Sequence, residues 1–426
     1  MRNWLVILIM VLITVTFCAG QDLPSFPIGQ YWQFPDARSL SLGGAGSVSL
    51  AAPGAMLYNP AALTQIDRFF AVDLSFSVRK MQERRSYPLY DRFDGIITQA
   101  IYALNNNFYY QPEGAVALRL PVSSLPGLTL ALGSYREIDQ NYEYLEEVRN
   151  NVFGDELLAY NRIKIKGGLQ RYSGALAADL PFLSGLSFGL QAGILDGSLD
   201  YNKQVDVLAS GQQVILADNN RTLDNTPMLL SFGSIYRVNE RITVGADAQL
   251  PYTVKYKAML SEDIIGREEI QYPLRLNGGF EYRAQQILQA RLELDAGYEF
   301  WSNTEYTSDI GGIVSPTEEL SDVFYLKAGV EHIFYNKIPF RVGMQYRNAY
   351  QARGTTQTLL SAGTGFFGNG WQLDVAGALS RLSYRWPDLF DDSQILGITI
   401  PARSDMDTVD ETTFWGMVTL KVNIDR

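Results

Sequence analysis

The clearest pattern in the chain is a strict alternation of apolar and polar residues over positions 289–301, QARLELDAGYEFW. Leu292, Leu294 and Tyr298 fall on one face of an extended chain, because successive side chains of a β-strand point to opposite sides. The other face carries the charged residues Arg291, Glu293, Asp295 and Glu299. A helix would spread these charges around its axis, so the pattern predicts a β-strand with one charged face.

Fourteen segments predict strands, and the connections between them alternate in length. The predicted strands are residues 68–79, 114–121, 127–137, 168–180, 185–200, 227–237, 241–257, 269–283, 287–302, 321–334, 338–348, 355–366, 370–385 and 411–424. Odd-to-even connections are long, such as 80–113, whereas even-to-odd connections are short, such as the turn at Asn239. This asymmetry is typical of bacterial outer-membrane β-barrels, and an even strand number places both chain ends on the short-turn, periplasmic side.

The membrane itself favours a closed sheet, since unpaired backbone groups in lipid are very unfavourable. A spanning helix is not predicted, because no internal run reaches 18 apolar residues. Aromatic residues near strand ends, such as Trp301, Trp371 and Trp415, fit the girdles found at membrane interfaces. We therefore predict an all-β fold, a transmembrane antiparallel β-barrel of about 14 strands formed by residues 68–426. A soluble β-domain, with the charged faces in water, is the alternative.

The N-terminus predicts the compartment. Arg2, an apolar run over residues 5–15 and small residues around Cys18 have the layout of a secretory signal peptide, which we assign to residues 1–20. Export to the outer membrane of a Gram-negative cell follows from this signal and the barrel pattern. Because Cys18 is the only cysteine, the mature chain is expected to have neither disulfides nor a cysteine metal site.

Residues 21–67 precede the first predicted strand and include SLGGAGSVSLAAPGAMLYNPAAL, residues 41–63. Glycine and alanine let a backbone approach a wall closely, and Asn59-Pro60 is a turn signal. A barrel of 14 strands leaves a lumen that side chains do not fill. We therefore predict a hatch that plugs the lumen in residues 21–67. The predicted hatch and ligand-pathway residues are Gly43, Gly44, Ala45, Gly46, Tyr58, Asn59, Pro60 and Ala61.

Other interpretations of this segment fit less well. A phosphate-binding loop would need the pattern G-x-x-x-x-G-K-[ST], which is absent. The Asn-Pro-Ala triplet of aquaporins belongs to helical bundles, and no spanning helix is predicted. A solvated linker would not carry apolar residues such as Leu57 and Tyr58.

The first long loop contains apolar residues at helical spacing. In residues 90–107, YDRFDGIITQAIYALNNN, the positions Phe93, Ile97, Ile101 and Leu104 share one helical face. We expect a short amphipathic helix there, which offers either an apolar landing site for ligand or a face that packs on other loops. A weaker helical pattern covers residues 147–160.

The segment DARSLSLGGAGSVSLAAPGAMLYNPAALTQI, residues 36–66, resembles the N-terminal segment of the long-chain fatty acid transporter (FadL/OmpP1/TodX-like) family of outer-membrane proteins. The related PorV/PorQ-type barrels have a similar opening. The resemblance implies a fourteen-stranded barrel, an N-terminal hatch and passive uptake of hydrophobic molecules. Two features depart from the family: Pro53-Gly54 stands where acidic residues are common, and the chain ends on Asp425-Arg426 rather than on an aromatic residue.

Candidate chemistry other than transport is sparse. The chain has one histidine, His332, so a histidine metal site and a hydrolase triad are disfavoured, and we expect no enzyme activity, no cofactor and no metal site. The formal net charge of −11 argues against nucleic acid as a partner. The expected partners are outer-membrane lipids, a hydrophobic small-molecule ligand and the barrel-assembly machinery, with the oligomeric state left open.

Two functions follow from these observations. The first is an outer-membrane channel for passive uptake of hydrophobic, long-chain fatty-acid-like molecules, gated by the hatch. The alternative is a PorV-like barrel without transport activity that serves protein secretion or surface attachment. Inward-facing apolar residues around the hatch would favour the first, and a wholly polar lumen with apolar loop tips would favour the second. A general polar porin is disfavoured because a hatch would obstruct it.

Overall fold

The computed structural model describes residues 28–29, 33–93, 95–149, 156–284, 289–310, 320–334, 338–350, 355–392 and 406–425. The predicted signal peptide, residues 1–20, lies outside the described residues, as do residues 21–27 and 30–32 of the predicted hatch. None of the described helices is long and apolar enough to cross a membrane.

Nineteen strands form one antiparallel sheet in the described part of the chain. They are β1 (Phe70–Tyr90), β2 (Ile96–Arg119), β3 (Thr129–Asp139), β4 (Tyr142–Arg149), β5 (Leu157–Asp179), β6 (Leu186–Val207), β7 (Gln212–Leu223), β8 (Met228–Arg237), β9 (Ile242–Gln249), β10 (Tyr252–Leu260), β11 (Asp263–Tyr272), β12 (Arg275–Arg283), β13 (Ala290–Glu299), β14 (Tyr306–Ser308), β15 (Val323–Ile333), β16 (Pro339–Asn348), β17 (Thr356–Gly368), β18 (Trp371–Pro387) and β19 (Met406–Ile424). In the part of the chain that the structure describes, the helical elements include α1 (Ala37–Ser41) and the 3₁₀ turns Pro53–Leu57, Pro60–Gln65 and Trp301–Asn303.

Fourteen of these strands close into a barrel. They follow one another in the order β1, β2, β3, β5, β6, β8, β9, β12, β13, β15, β16, β17, β18 and β19. The last strand then pairs with the first, from Phe70 opposite Ile424 to Ser86 opposite Thr408. The predicted all-β transmembrane barrel of about 14 strands is confirmed. The other five strands, β4, β7, β10, β11 and β14, extend the sheet at the long-loop end.

The wall has an apolar outer face and a polar inner face. Along β1, Leu74 and Phe76 are exposed on the outside, whereas Asp73 and Ser75, which alternate with them, are buried. The same alternation puts Leu294 outside and buries Glu293 and Asp295. This alternation of apolar and polar residues is expected of a strand that has one face in contact with lipid and the other facing the lumen.

The described residues of 90–107 belong to a β-hairpin, so the predicted amphipathic helix with Phe93, Ile97, Ile101 and Leu104 on one face is wrong. β1 runs to Tyr90 and β2 begins at Ile96, with Arg84 opposite Leu104 and Ser86 opposite Ile101. The register shift between Arg85 and Ser86 marks a β-bulge. A bulge adds one residue to the strand, so apolar positions three apart imitate the helical period. The weaker helical pattern is also wrong where it is described, because residues 142–149 and 157–179 are strands.

Candidate functional site inside the barrel

Residues 33–66, which we call the interior segment, lie inside the barrel and contact strands around its circumference. Helix α1 packs on β16, β17, β18 and β19, the turn Pro53–Leu57 on β1, β2 and β3, and the turn Pro60–Gln65 on β5, β6 and β8. Most residues of the segment are buried. The segment therefore occupies the lumen at this level.

Short-range hydrogen bonds fix the path of the segment. Asp36 caps helix α1, where its Oδ1 accepts from the backbone N–H of Ser39 at 2.7 Å and Ser39 Oγ accepts from the N–H of Asp36 at 3.2 Å. Asn59 caps the turn that begins at Pro60, and its Oδ1 accepts from the N–H of Ala61 at 3.0 Å. Both residues satisfy N–H groups that a helix start leaves without a partner.

The predicted residues Gly43, Gly44, Ala45 and Gly46 lie against the wall, where there is no room for larger side chains. Gly43 has a φ of +69°, and a Cβ on it would lie 2.5 Å from the carbonyl oxygen of Met344 on β16. The wall is equally close, because a Cβ on Gly343 would overlap the backbone of Leu42 and Gly43. Glycine on both sides permits this approach.

The second predicted group, Tyr58, Asn59, Pro60 and Ala61, meets the opposite side of the barrel. Asn59 Nδ2 donates to the carbonyl oxygens of Ser234 at 3.1 Å and Ala246 at 3.4 Å. A Cβ on Gly189 of β6 would overlap the backbone of Pro60 and Ala61. Tyr58 donates through its hydroxyl to the carbonyl oxygen of Gln33 at 3.1 Å. Their role in a ligand pathway stays a prediction.

A buried arginine joins the interior segment to two strands. Arg38 of α1 donates to Glu293 of β13 at 2.6 Å and to Glu331 of β15 at 3.2 Å. All three side chains are at least 90% buried. Arg38 and Glu331 were not among the predicted site residues. The sequence gives little indication of their role. Glu331 does alternate with Val330, which is exposed on the outer face, so its position in the strand predicts an inward-facing side chain.

The ion pairs continue along the wall. Arg341 of β16 contacts Glu331 at 2.6 Å and Asp374 of β18 at 2.7 Å. Lys421 of β19 lies 3.8 Å from Asp374 and pairs with Asp36 of the interior segment. The chain of charges thus begins and ends on the interior segment.

The four charged residues predicted on β13 have different surroundings. Asp295 accepts from the N–H groups of Gly46 and Ser47, each at 3.1 Å, so it contacts the predicted glycine run. Glu293 also contacts the interior segment, through Arg38. Glu299 instead pairs with Arg347 at 2.9 Å. Arg291 is one-third exposed near the short-turn end, 3.6 Å from Glu331.

The free space beside the interior segment is small, and its lining includes many charged side chains as well as apolar ones. One cavity of about 90 Å³ lies between the segment and strands β8, β9, β12, β13, β15 and β16. Its lining includes Asp247, Asp295, Glu299, Arg275, Lys327 and Arg347. A second space of about 40 Å³, beside Phe34, is lined by Arg79, Glu113 and Asp139 among others. Such volumes and linings suit a few water molecules rather than an apolar solute.

Apolar residues instead face inward nearer the long-loop end. Tyr252 stacks on Tyr272 with ring centres 4.8 Å apart, and Trp301 stacks on Tyr350 at 4.4 Å. Ile28 is buried in the same cluster, and its carbonyl oxygen accepts from the hydroxyl of Tyr272 at 2.7 Å. We call these five residues the aromatic cluster. The lumen therefore combines ion pairs with apolar packing around the interior segment, and these aromatic residues lie nearer the long-loop end.

The class that these features define is a closed transmembrane barrel with an N-terminal segment in its lumen. No family model and no curated protein matches the chain. Among solved structures, a Pseudomonas aeruginosa FadL homologue matches with a TM-score of 0.66 and 14% identity over 93% of this chain and 99% of that one.

Two further solved structures have the same fold. The Ralstonia pickettii toluene transporter TbuX gives a TM-score of 0.60 at 16% identity, over 91% of this chain and 98% of that one. The Pseudomonas putida toluene transporter TodX gives 0.59 at 14%, over 92% and 99%. The similarity shows that this chain has the fold of FadL-type barrels, and it supports the resemblance seen in residues 36–66.

Proposed function

We propose that the protein is an outer-membrane channel for the passive uptake of hydrophobic molecules, with the interior segment as its hatch. The observation that carries the proposal is the arrangement inside the barrel. The interior segment is packed tightly in the lumen by ion pairs and by apolar contacts, and inward-facing aromatic residues lie on its long-loop side. An apolar solute can gather in the upper region, whereas ions meet a closed barrel until the hatch moves.

The setting of the channel follows from the same features. The short-turn end, where the barrel wall begins at Phe70 and ends at Ile424, is the periplasmic side, and the long hairpins project outward from a Gram-negative outer membrane. Membrane lipids surround the apolar outer band, and the barrel-assembly machinery inserts the chain. Solved barrels of the same fold are described as toluene transporters and as a monoaromatic hydrocarbon channel, which supports uptake of a hydrophobic solute here.

Uptake of radiolabelled oleate by cells that express the protein tests this function. We expect faster uptake than in the same strain without the gene, and co-purified hydrophobic ligand by mass spectrometry. No gain over the control strain together with no bound ligand would contradict the proposal.

A PorV-like docking role is the second candidate, and the tip of the β1–β2 hairpin favours it. Phe93 is 91% exposed, Ile97 68%, and Ile101 and Leu104 56% each, so these residues give the hairpin an exposed apolar surface. Exposed apolar patches of this kind often mark contacts with other proteins. Serine at these four positions should leave oleate uptake unchanged if the surface serves docking, and should slow uptake if it collects the solute.

A further inference from the structure

Basic residues gather on the outer face of the barrel, at the long-loop edge of its apolar band. Lys80 and Arg84 lie on β1, and Arg381 and Arg385 lie on β18; these two strands flank β19. On β18 the exposed Leu379 is followed on the same outward face by both arginines. We call the four basic residues the basic patch. It lies on the wall that faces the membrane and not in the lumen.

The strand register brings the four basic residues onto one surface. Arg84 of β1 is opposite Asp410 of β19, and Ser383, midway between the two arginines of β18, is opposite the same residue. Neighbouring strands lie about 4.8 Å apart, so β1 and β18 are about 10 Å apart across β19. Within each strand the two basic residues are separated by about 13 Å. Uncharged polar residues occupy the outward positions between them: Gln82, Thr408 and Thr412. A surface of this size accommodates a head group with more than one anionic group.

Within these three strands a single outward-facing carboxylate accompanies the four basic residues. Asp410 pairs with Arg84 and lies 3.5 Å from Arg381. The other carboxylates of β1, β18 and β19 are buried: Asp73, Glu83, Asp374, Asp407 and Glu411. The side chains of Arg84 and Arg381 remain 43% and 69% exposed, so both guanidinium groups keep N–H donors open to the surroundings. The patch therefore has an excess of positive charge.

Two exposed lysines elsewhere at the long-loop end have a different arrangement. Lys164 of β5 pairs with Glu143 of β4 at 3.5 Å. Lys255 of β10 pairs with Glu269 of β11 at 2.7 Å. Each of these pairs is neutral as a whole and therefore has no excess charge to attract an anion. The basic patch differs because four cations share one carboxylate.

Apolar side chains adjoin the patch on the side of the short turns. Phe414 of β19 is 47% exposed and lies opposite Lys80 on one side and Leu379, 43% exposed, on the other. The Nζ of Lys80 is 5.6 Å from the centre of the Phe108 ring on β2. The outer face thus changes from apolar to cationic over one pair of residues. An anionic lipid has the same order of groups, with acyl chains beside the apolar band and a charged head group beside the cations.

We propose that the basic patch binds the head group of a phosphorylated glycolipid in the outer leaflet of the membrane, with the acyl chains along Phe414, Leu379 and Phe108. The fork of N–H donors on Arg84 and Arg381 matches phosphate oxygens, and Lys80 and Arg385 add charge at the two ends of the patch. Asp410 positions the two guanidinium groups. The site lies outside the barrel, so this inference goes beyond the proposed function and shares with it only the membrane setting.

Native mass spectrometry of the full-length protein in a non-ionic detergent tests the site with two matched lipids. Lipid A, a glycolipid with two phosphate groups, and the same lipid without its phosphates share their acyl chains. We expect the wild type to bind lipid A about 100-fold more tightly, because each basic residue near an anionic head group contributes roughly a factor of five and the patch has three in excess. A hundredfold excess of inorganic phosphate should leave the complex intact, since the free anion lacks acyl chains. Equal binding of the two lipids, or displacement by inorganic phosphate, would overturn the proposal.

Two double variants with the same change in net charge test the residues. Arg381→Gln combined with Arg385→Gln should weaken lipid A binding about 25-fold and leave binding of the lipid without phosphates unchanged. Arg162→Gln combined with Lys164→Gln is the control on β5, where both residues have an acidic partner, and should leave lipid A binding unchanged. Heat-modifiable migration on gels checks that each barrel has folded. Wild-type affinity in the first variant, or an equal loss in both, would overturn the proposal.

Photo-crosslinking in cells covers the case in which the first variant does not fold. The photoreactive residue p-benzoylphenylalanine replaces either Thr412, inside the patch, or Val422, on the same face of β19 near the short-turn end. We expect an adduct with the outer-leaflet glycolipid at position 412 only. No adduct at 412, or equal adducts at both positions, would overturn the proposal. Uptake of oleate without a preference for lipid A would count against this inference alone, and lipid A binding without uptake would count against the proposed function alone.

Discussion

Replacing Arg38 with methionine tests how the interior segment, which we propose as the hatch, is held in the barrel. Methionine keeps much of the aliphatic volume but removes the guanidinium that contacts Glu293 at 2.6 Å and Glu331 at 3.2 Å. Glu331 retains Arg341 at 2.6 Å. Glu293, with 1% of its side chain exposed, is left with a buried charge whose arginine partner is gone.

The size of the effect follows from that charge. Removing one partner of a buried ion pair costs about 3–5 kcal/mol. If this acts on the docked hatch alone, the ratio of undocked to docked hatch rises roughly 150- to 5,000-fold, at about 1.36 kcal/mol for each factor of ten. Single-channel recording in planar bilayers measures this ratio as the fraction of time spent open. Arg68→Met is the control, because its partner Asp425 is 70% exposed and such pairs contribute little.

A second substitution distinguishes the effect of the uncompensated Glu293 carboxylate from the effect of a general loss of packing. Arg38→Met combined with Glu293→Gln removes the uncompensated carboxylate and should restore part of the closed behaviour. Heat-modifiable migration on gels checks that each barrel has folded. A folded Arg38→Met protein that stays closed like the wild type would refute the reasoning.

Three further perturbations act on the same contact surface. Gly343→Val should displace the hatch and raise conductance, because a side chain there overlaps the backbone of Leu42. Gly416→Val is the control and should leave conductance unchanged, because nothing lies within 4 Å of its Cβ position. Equal conductance of the two variants would contradict the packing argument. Deleting residues 36–63 should leave a barrel that assembles and conducts ions constantly, and a closed barrel would exclude the hatch role. Asn59→Leu should speed hydrogen exchange at the start of the Pro60 turn, since loss of a cap costs about 1 kcal/mol; an unchanged rate would show that the cap is dispensable.

The sequence predicted the membrane part of the barrel because lipid imposes a simple rule on it. Outward residues such as Leu292 and Leu294 must be apolar, and the inward charges between them stand out. Beyond the lipid, outward-facing residues need not be apolar, so the alternation is lost. For this reason β2 was predicted to begin at residue 114, whereas it begins at Ile96. The bulge opposite Arg85 then produced the spacing that we took for a helix.

The interior was only partly predictable. Glycine and proline encode local geometry, so the close approach at Gly43 could be expected from composition. The partner of Arg38 could not, because Glu293 is 255 positions away and becomes its neighbour only when the barrel closes. The stacking of Phe390 on Tyr144 has the same origin, since these two residues are far apart in the chain and meet only in the closed barrel.

The central claim is that the barrel admits hydrophobic solutes and excludes polar ones. Initial uptake rates of labelled oleate and labelled sucrose, measured in one strain with and without the protein, test it most directly. The account predicts that the protein raises the oleate rate and leaves the sucrose rate at the level of the control strain. A raised sucrose rate, or an oleate rate equal to that of the control strain, would contradict it.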